Sequence, residues 1–237
     1  MVRGILVSGA AMRPAMQAQS VLANNLANAT STGFRQDRIA FEQTFFQGGE
    51  APSLEGTAAP RLLTSIDARP GPYEVTDRRL DLAIQGEGYF VVEAPEGERY
   101  TRSGHFQLAD DGTLVTSQGY PVLAGSGPVT LPGEAELLVS PSGELRAGEQ
   151  LLGNLRIAVF EGEPGFTHAG GGLLATDRQP ASAGAGRVLQ GVLEGANVEP
   201  VQALIEMIAL TRHFEMNQKA FQAQDETLGA LLSWVQG

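Results

Sequence analysis

The C-terminal stretch constrains the fold of this chain most, because its large apolar residues recur every seven positions. The companion heptad position holds Leu204 and Leu232, with polar residues at the intervening sites. This spacing predicts a long helix with an imperfect coiled-coil seam. An ordinary helix packed on its own domain is the alternative that the pattern leaves open. The apolar column consists of Met207, Phe214, Phe221, Leu228 and Val235.

The N-terminal stretch is also helical in composition, but residues 22–34, LANNLANATSTGF, place three asparagines in an apolar frame. Asparagine is a poor residue for a helix interior, because its amide competes for nearby backbone groups. We predict that these amides bond across a packed multi-helix seam and fix its register. Pro14 is expected to start this helix or to kink a longer one, and Gly33 to end it.

Neither terminal helix carries enough large apolar side chains to offset the backbone entropy lost when it orders. The sequence therefore predicts that the two helices pair with each other and then with copies from other molecules. We expect the isolated monomer to have a folded middle and frayed ends.

The middle of the chain, residues 76–190, has turn signals at the short intervals that are typical of an all-β domain. Asp111 and Gly112 predict a hairpin between two alternating arms. The segment NLRIAVFE, residues 154–161, predicts the longest strand. These features favour a small sandwich or an open barrel built from hairpins.

Residues 35–75 lack periodicity and include GGEAPSLEGTAAP, which predicts an extended linker. The predicted fold class is therefore α+β, with paired terminal helices and a central β domain. The predicted divisions are 1–34 for the N-terminal helical segment, 35–75 for the linker, 76–190 for the β domain and 191–237 for the C-terminal helical segment.

Composition excludes several classes of function. A net charge of −11 with a single lysine argues against a nucleic-acid partner, since phosphate neutralisation requires clustered basic residues. The absence of cysteine removes disulfides, thiol catalysis and cysteine-bound zinc. No apolar run is long enough to predict a membrane span.

Candidate chemistry is equally sparse. His105, His168 and His213 are far apart and have no metal-ligand spacing. Gly125, Ser126 and Gly127 form a turn signal without the nucleophile motif G-x-S-x-G. The sequence predicts no catalytic residue, cofactor or metal site, so the chain is not expected to be an enzyme.

Three stretches of the chain carry a family resemblance. Residues 22–35, LANNLANATSTGFR, resemble the N-terminal signature of bacterial flagellar basal-body rod and hook proteins, in which A-N-N-L-A-N is followed by T-G-F. The stretch GANVEPVQALIEMIALTRHFEMNQKA resembles the matching C-terminal signature. LDLAIQGEGYFVV and YTRSGHFQLADDGTLVTSQGYPVL are similar to the β domain of rod proteins. The chain is identified as a member of this family, nearer to proximal-rod than to distal-rod proteins.

The resemblance implies a structural axial subunit of the periplasmic rod. Such a subunit is exported unfolded by the flagellar type III apparatus without a cleaved signal, and it assembles with copies of itself and other rod proteins into a torque-carrying tube. A distal-rod subunit is the close alternative, and a secreted β-domain glycan-binding protein or enzyme is the distant one. The residues predicted to form the assembly interface are Leu22, Asn24, Asn25, Leu26, Asn28, Gly33, Phe34, Asn197, Met207, Phe214, Glu215, Phe221 and Leu228.

Overall fold

The computed structural model describes residues 2–42, 61–125, 127–133, 135–162, 164–183 and 186–236. Within these ranges the chain forms two helices and many short strands, which confirms the predicted α+β class. The helices are α1 (Val2–Ala27) and α2 (Pro200–Gln236). No helix in the described ranges has both the length and the apolar character needed to cross a membrane.

The strands are short, and most of them pair with a near neighbour in sequence. They are β1 (Asp37–Glu42), β2 (Arg61–Ile66), β3 (Tyr73–Val75), β4 (Leu82–Gln85), β5 (Tyr89–Ala94), β6 (Gly97–Thr101), β7 (Gln107–Leu108), β8 (Leu114–Val115), β9 (Leu123–Ala124), β10 (Gly127–Pro128), β11 (Leu137–Val139), β12 (Glu144–Ala147), β13 (Gln150–Asn154), β14 (Ile157–Val159), β15 (Thr167–Gly170), β16 (Leu173–Ala175), β17 (Ser182–Ala183), β18 (Arg187–Gln190) and β19 (Val192–Glu194).

The chain divides into two compact units. The helical unit contains α1, β1, most of β2 and α2, and the β unit contains residues 28–36 and 66–198. Strands β1, β2 and β3 lie within the range predicted as linker, and residues 43–60 lie outside the described residues. The predicted domain boundaries stay a prediction.

In the helical unit, α1 ends at Ala27, six residues before the predicted end at Gly33. The reason is local, because residues 28–34 form turns instead of another helical turn. The amide of Ser31 donates to the Asn28 carbonyl at 3.0 Å, and the Ser31 hydroxyl donates to the Asn28 side-chain oxygen at 3.3 Å. Pro14 lies buried inside α1. Pro200 is the first residue of α2, where its missing amide hydrogen has no helical partner to lose.

The β unit is organised around a six-stranded sheet in the order β15-β16-β6-β5-β14-β17 and a three-stranded sheet in the order β11-β12-β13. Smaller two-stranded pairs, such as β4 with β18 and β3 with β19, complete it. The main core is a cluster of fully buried side chains contributed by several of these strands. They include Leu82, Ile84, Phe90, Val92, Phe106, Leu114, Val122 and Leu145.

The predicted hairpin at Asp111 and Gly112 is confirmed. Strands β7 and β8 pair with Leu108 opposite Leu114. Gly112 has a φ of 80°, a left-handed conformation that favours glycine, and the Asp111 carboxylate accepts the amide of Thr113 at 2.9 Å. Local turn chemistry alone therefore identified this element.

The prediction of one long strand in NLRIAVFE is wrong. The segment is divided between the end of β13 at Asn154 and the three residues of β14. Between them, the amide of Leu155 donates to Gly143 and the amide of Arg156 donates to Leu123. These bonds to different partners pass the chain from the three-stranded sheet to the six-stranded sheet, so the segment does not pair as one strand.

Candidate assembly site

Helix α2 presents one apolar face that is partly covered. Ala203 is buried, and Met207, Leu210 and Phe214 are half-buried. Met207 and Phe214 are the first two residues of the predicted heptad column, and the structure places them on this face. Phe221 and Leu228 belong to the same column, but their side chains lie outside the described set.

A second apolar face of α2 was not predicted from the sequence, and it includes Leu204, which was assigned to the companion heptad position of the seam. Its residues are spaced at i, i+3, i+4 and i+7, so they form one stripe on the other side of the helix at about 100° per residue. They are strongly exposed, and we call them the exposed stripe: Val201 (71%), Leu204 (45%), Ile205 (56%) and Ile208 (54%). The signal was present in the spacing, but the heptad column drew the prediction to the opposite face.

The other residues predicted for assembly, in the helices and directly after α1, lie in mixed environments. Leu22, Leu26 and Asn28 are half-buried, and Asn24 and Glu215 are exposed. The part that these side chains take in assembly stays a prediction, since the structure holds one chain.

Asn25 is buried, and the structure gives its amide a different partner from the predicted one. Its side-chain nitrogen donates to the Asp37 carbonyl at 2.9 Å, and its side-chain oxygen accepts the Asp37 amide at 2.9 Å. The amide thus bonds the first residue of β1 as a neighbouring strand would. These bonds fix β1 beside the end of α1 within one chain, rather than fixing register across a seam between helices.

Asn197, Gly33 and Phe34 come together in the β unit. They lie where residues 28–36, 66–72 and 194–198 meet, and we call this place the junction. The side-chain oxygen of Asn197 accepts the Gln36 amide at 2.7 Å. Its side-chain nitrogen donates to the carbonyls of Asp67 at 3.0 Å and Arg69 at 2.9 Å. One asparagine therefore holds all three segments.

Gly33 crosses directly over another segment of the backbone. Its φ is 66°, and a Cβ at this position would lie 2.1 Å from the Ser103 amide nitrogen. The Gly33 amide also donates to the Glu194 carbonyl at 2.6 Å. A residue other than glycine would break this crossing for both steric and conformational reasons.

Phe34 anchors the junction by burial. Its ring stacks on His168 with a centroid separation of 5.4 Å and an interplanar angle of 8°. It also packs with Ala196 and Val198 in a small apolar cluster. In the monomer, Gly33, Phe34 and Asn197 thus have intramolecular roles, and their predicted part in assembly stays a prediction.

The junction also contains buried charges that the sequence analysis did not find. Glu194 accepts a hydrogen bond from Arg35 at 2.5 Å and one from Arg102 at 3.1 Å, and the three side chains are at most 5% exposed. We call them the Arg–Glu–Arg cluster. Burial lowers the pKa of Arg102, and the Glu194 carboxylate opposes that shift. Arg35 and Glu194 are 159 positions apart, so no local pattern could have paired them.

Asp67 is a second buried carboxylate at the junction. Its pKa is lowered to about 2, chiefly because the Arg69 guanidinium donates to both of its oxygens. Gln36 also donates to Asp67, at 3.3 Å. The carboxylate therefore stays ionised through almost the whole pH range in which proteins are studied.

His105 lies beside a carboxylate, but the two do not form a catalytic arrangement with a hydroxyl. His105 Nδ1 lies 3.0 Å from Asp81 Oδ1, and the Thr76 hydroxyl donates to Asp81 Oδ2 at 2.8 Å. In a nucleophilic triad the histidine stands between the hydroxyl and the carboxylate. Here Asp81 stands between the other two, so the histidine does not activate the hydroxyl.

Two family models match the chain. Residues 83–147 match the flagellar hook protein FlgE/F/G D1 domain, and residues 189–233 match the flagellar basal body rod FlgEFG protein C-terminal model. The flagellar basal-body rod protein FlgF of Salmonella typhimurium is 35% identical over 227 residues, which cover 89% of each chain. The chain belongs to the flagellar basal-body rod protein family.

FlgG members of the rod family are also similar to this chain. FlgG of Caulobacter vibrioides is 33% identical over 240 residues, covering 89% of this chain and 90% of the relative. FlgG of Bacillus subtilis is 29% identical over 267 residues, covering 98% and 99%. The C-terminal rod-family model spans Asn197, the exposed stripe and Phe214. These residues therefore lie inside a region of the chain that matches the family model.

Proposed function

We propose that this rod-family chain is a structural axial subunit of the flagellar basal-body rod in the periplasm. It assembles through its terminal helices with copies of itself and with other rod proteins into a tube that carries torque. Its role is mechanical, without catalysis, cofactor or nucleic-acid partner. The observation that carries the proposal is the exposed stripe on α2.

The exposed stripe supports assembly because it places four large apolar side chains on two turns of a helix whose opposite face is already partly covered. Covering the exposed part of each such side chain contributes about 1–2 kcal/mol. Contiguous exposed apolar surface of this kind is typical of protein interaction sites. A helix with two apolar faces can contact a neighbour on each side, and a repeated head-to-tail contact that does not close gives a filament.

The pairing of the two terminal helices as a coiled-coil-like module is part of this proposal. It is supported by the presence of α1 and α2 in one compact unit and by the half-buried face of α2 that carries Met207 and Phe214. At 1.5 Å per residue, the 37 residues of α2 extend about 55 Å. That length allows α2 to contact more than one neighbouring subunit along an axial tube.

Within the family we propose a FlgF-like subunit of the proximal rod, with a FlgG-like subunit of the distal rod as the alternative. The short chain and the segments GVLEGANV and RHFEMNQKAFQAQDETLG favour the first. Expression of the chain in strains lacking either FlgF or FlgG distinguishes the two, because only the matching deletion should regain motility. Electron cryomicroscopy of intact basal bodies then locates the subunit in the proximal or the distal rod.

The assembly proposal is tested by two matched pairs of charges on α2. Leu204→Asp with Ile208→Asp charges the exposed stripe, and Ala209→Asp with His213→Asp places the same charges, four residues apart, on an exposed flank. We expect the first pair to abolish rod formation in purified basal bodies and the second to preserve it. Thermal unfolding of the β unit should be unchanged in both. Normal rods with the stripe variant would overturn the proposal.

Export by the flagellar type III apparatus without a cleaved signal is a further part of the proposed function. Its test is the mass of the chain recovered from assembled basal bodies. An intact N-terminus is expected, and a shortened one that reflects signal cleavage would contradict this route.

A further inference from the structure

We propose that the Arg–Glu–Arg cluster is a positioning site, in which Glu194 holds the chain segments that connect the β unit to the two terminal helices in one fixed arrangement. Arg35 lies in the segment that follows α1, and Glu194 ends β19 on the way to α2. Arg102 directly follows β6. The inference concerns the chain in solution, so it stands independently of the proposed role in the rod.

A single carboxylate connects four parts of the β unit. Glu194 Oε1 accepts from Arg35 and from the Gly71 amide at 3.0 Å, and Oε2 accepts from Arg102. Arg102 in turn donates to the carbonyls of Ile84 at 2.9 Å and Gly86 at 2.6 Å. Loss of the carboxylate therefore removes the bonds that the segments at 35, 71 and 102 share.

The cluster is not built for greatest stability. Two arginines face one glutamate, which leaves one positive charge in excess in a buried place. Among the described residues, Arg35 Nε, Arg35 Nη1 and Arg102 Nε have no hydrogen-bond partner. Apolar side chains of similar volume often replace buried ion pairs without loss of stability. The free-energy cost of burying charges at this site is explained if the charges fix the positions of the chain segments that they bond.

Apolar replacement at this site would also leave backbone groups without the partners that the cluster supplies. The half-buried Gly71 amide bonds Glu194, and the Gly86 carbonyl, in an exposed residue, bonds Arg102. A backbone amide that is shielded from water is disfavoured without a partner, so the segment at Gly71 would move until its amide reached water or another partner. The expected result is a β unit that keeps its core but loses the fixed placement of its two connections.

Hydrogen exchange of the full chain, measured by mass spectrometry, tests this inference. We expect Glu194→Gln to speed exchange at least about tenfold in residues 33–36 and 194–198. Strands β5 and β6 should keep their protection, because the core around Phe90 does not depend on the carboxylate. Glu98→Gln is the matched control, since Glu98 forms a two-bond pair with Arg156 at 2.7 and 2.8 Å that is partly exposed. It should leave exchange at the junction unchanged.

A second variant keeps the test decisive if Glu194→Gln does not fold. Arg35→Met removes the excess charge and leaves the Arg102–Glu194 pair intact, so the β unit should fold while exchange in residues 33–36 still rises. The triple variant Arg35→Met, Glu194→Leu and Arg102→Met replaces all three charged side chains with apolar ones. It therefore separates the role of the cluster in placing the chain segments from its contribution to the stability of the β unit. Junction exchange as slow as in the unchanged chain, in either Arg35→Met or the triple variant, would overturn the proposal.

Discussion

The two units of this rod protein bury different kinds of side chain. In the β unit, large apolar residues such as Phe90, Leu114 and Leu145 are completely buried. In the described part of the helical unit, the most buried side chains are small or polar, namely those of Ala18, Asn25 and Ala203, together with Pro14. The β unit therefore has its own core, whereas the large apolar side chains described in the helices are half-buried or exposed.

The largest expected effect concerns the predicted heptad column of α2. Phe214→Asp with Phe221→Asp should abolish rod assembly, because charged side chains cannot enter an apolar helix contact without a high desolvation cost. The β unit should remain folded, as judged by its thermal unfolding. The count of rods in purified basal bodies is the measurement.

The control for that pair places the same charges, also seven residues apart, on an exposed side of α2. His213→Asp with Ala220→Asp should permit normal assembly. If the phenylalanine variant also assembles normally, then the helical unit does not depend on this face and the contrast between the units fails.

The next effect tests the core of the β unit. Phe90→Ala should lower the free energy of unfolding by about 3–5 kcal/mol, since it removes a fully buried ring that meets Phe106 edge-to-face at 5.2 Å. Urea denaturation of the full chain measures the change. Leu151→Ala, at a side chain that is 58% exposed, should change stability by no more than about 0.5 kcal/mol. Equal losses of unfolding free energy in the two variants would show that burial does not determine the contribution of these side chains to stability.

A smaller effect is expected inside the helical unit. Asn25→Ala removes both bonds to the backbone of Asp37 and should cost about 1–2 kcal/mol locally. Exchange of the Asp37 amide hydrogen should accelerate by about tenfold or more. Gln19→Ala, on an exposed side of α1, is the control and should leave that amide unaffected. An unchanged Asp37 amide in the Asn25 variant would contradict the structural role assigned to this side chain.

The smallest expected effect is a dependence of stability on pH at the junction. The pKa of Asp67 is about 2 in the folded chain and near its ordinary value of 3.8 when unfolded. Its contribution is therefore complete above about pH 4 and is lost as the pH falls towards 2. Because Arg69 is largely exposed, this contribution is about 1 kcal/mol at most.

Asp67→Asn should flatten that part of the stability profile. Urea midpoints measured between pH 2 and pH 5 give the comparison with the unchanged chain. A variant whose midpoint falls with acid as steeply as that of the unchanged chain would show that another carboxylate is responsible.

Sequence reasoning succeeded where the signal was local. The turn at Asp111 and Gly112 was predicted from two residues, and strands β7 and β8 pair on either side of it. It failed for NLRIAVFE, because strand pairing there is decided by distant partners. It also missed Arg35 with Glu194, since charges so far apart are brought together only by the complete fold.

The same limit applies to the asparagines of α1. The sequence showed that the Asn25 amide needed a partner. The spacing of residues in a helix could not predict that this partner is the backbone of Asp37 in β1. The exposed stripe is a different case, because the spacing of Val201, Leu204, Ile205 and Ile208 was readable. Periodicity reports that a face is apolar, and only the structure reports which of two faces is already covered.

The crossing at Gly33 limits the order in which parts of the chain can fold. Gly33 rests on the backbone at Arg102 and Ser103, and its amide bonds the carbonyl of Glu194. A chain that emerges with its N-terminus first cannot complete this crossing until residue 194 has also emerged. The segment around Gly33 is synthesised early but is thus among the last to reach its folded position. A truncated chain that lacks residue 194 cannot form this crossing.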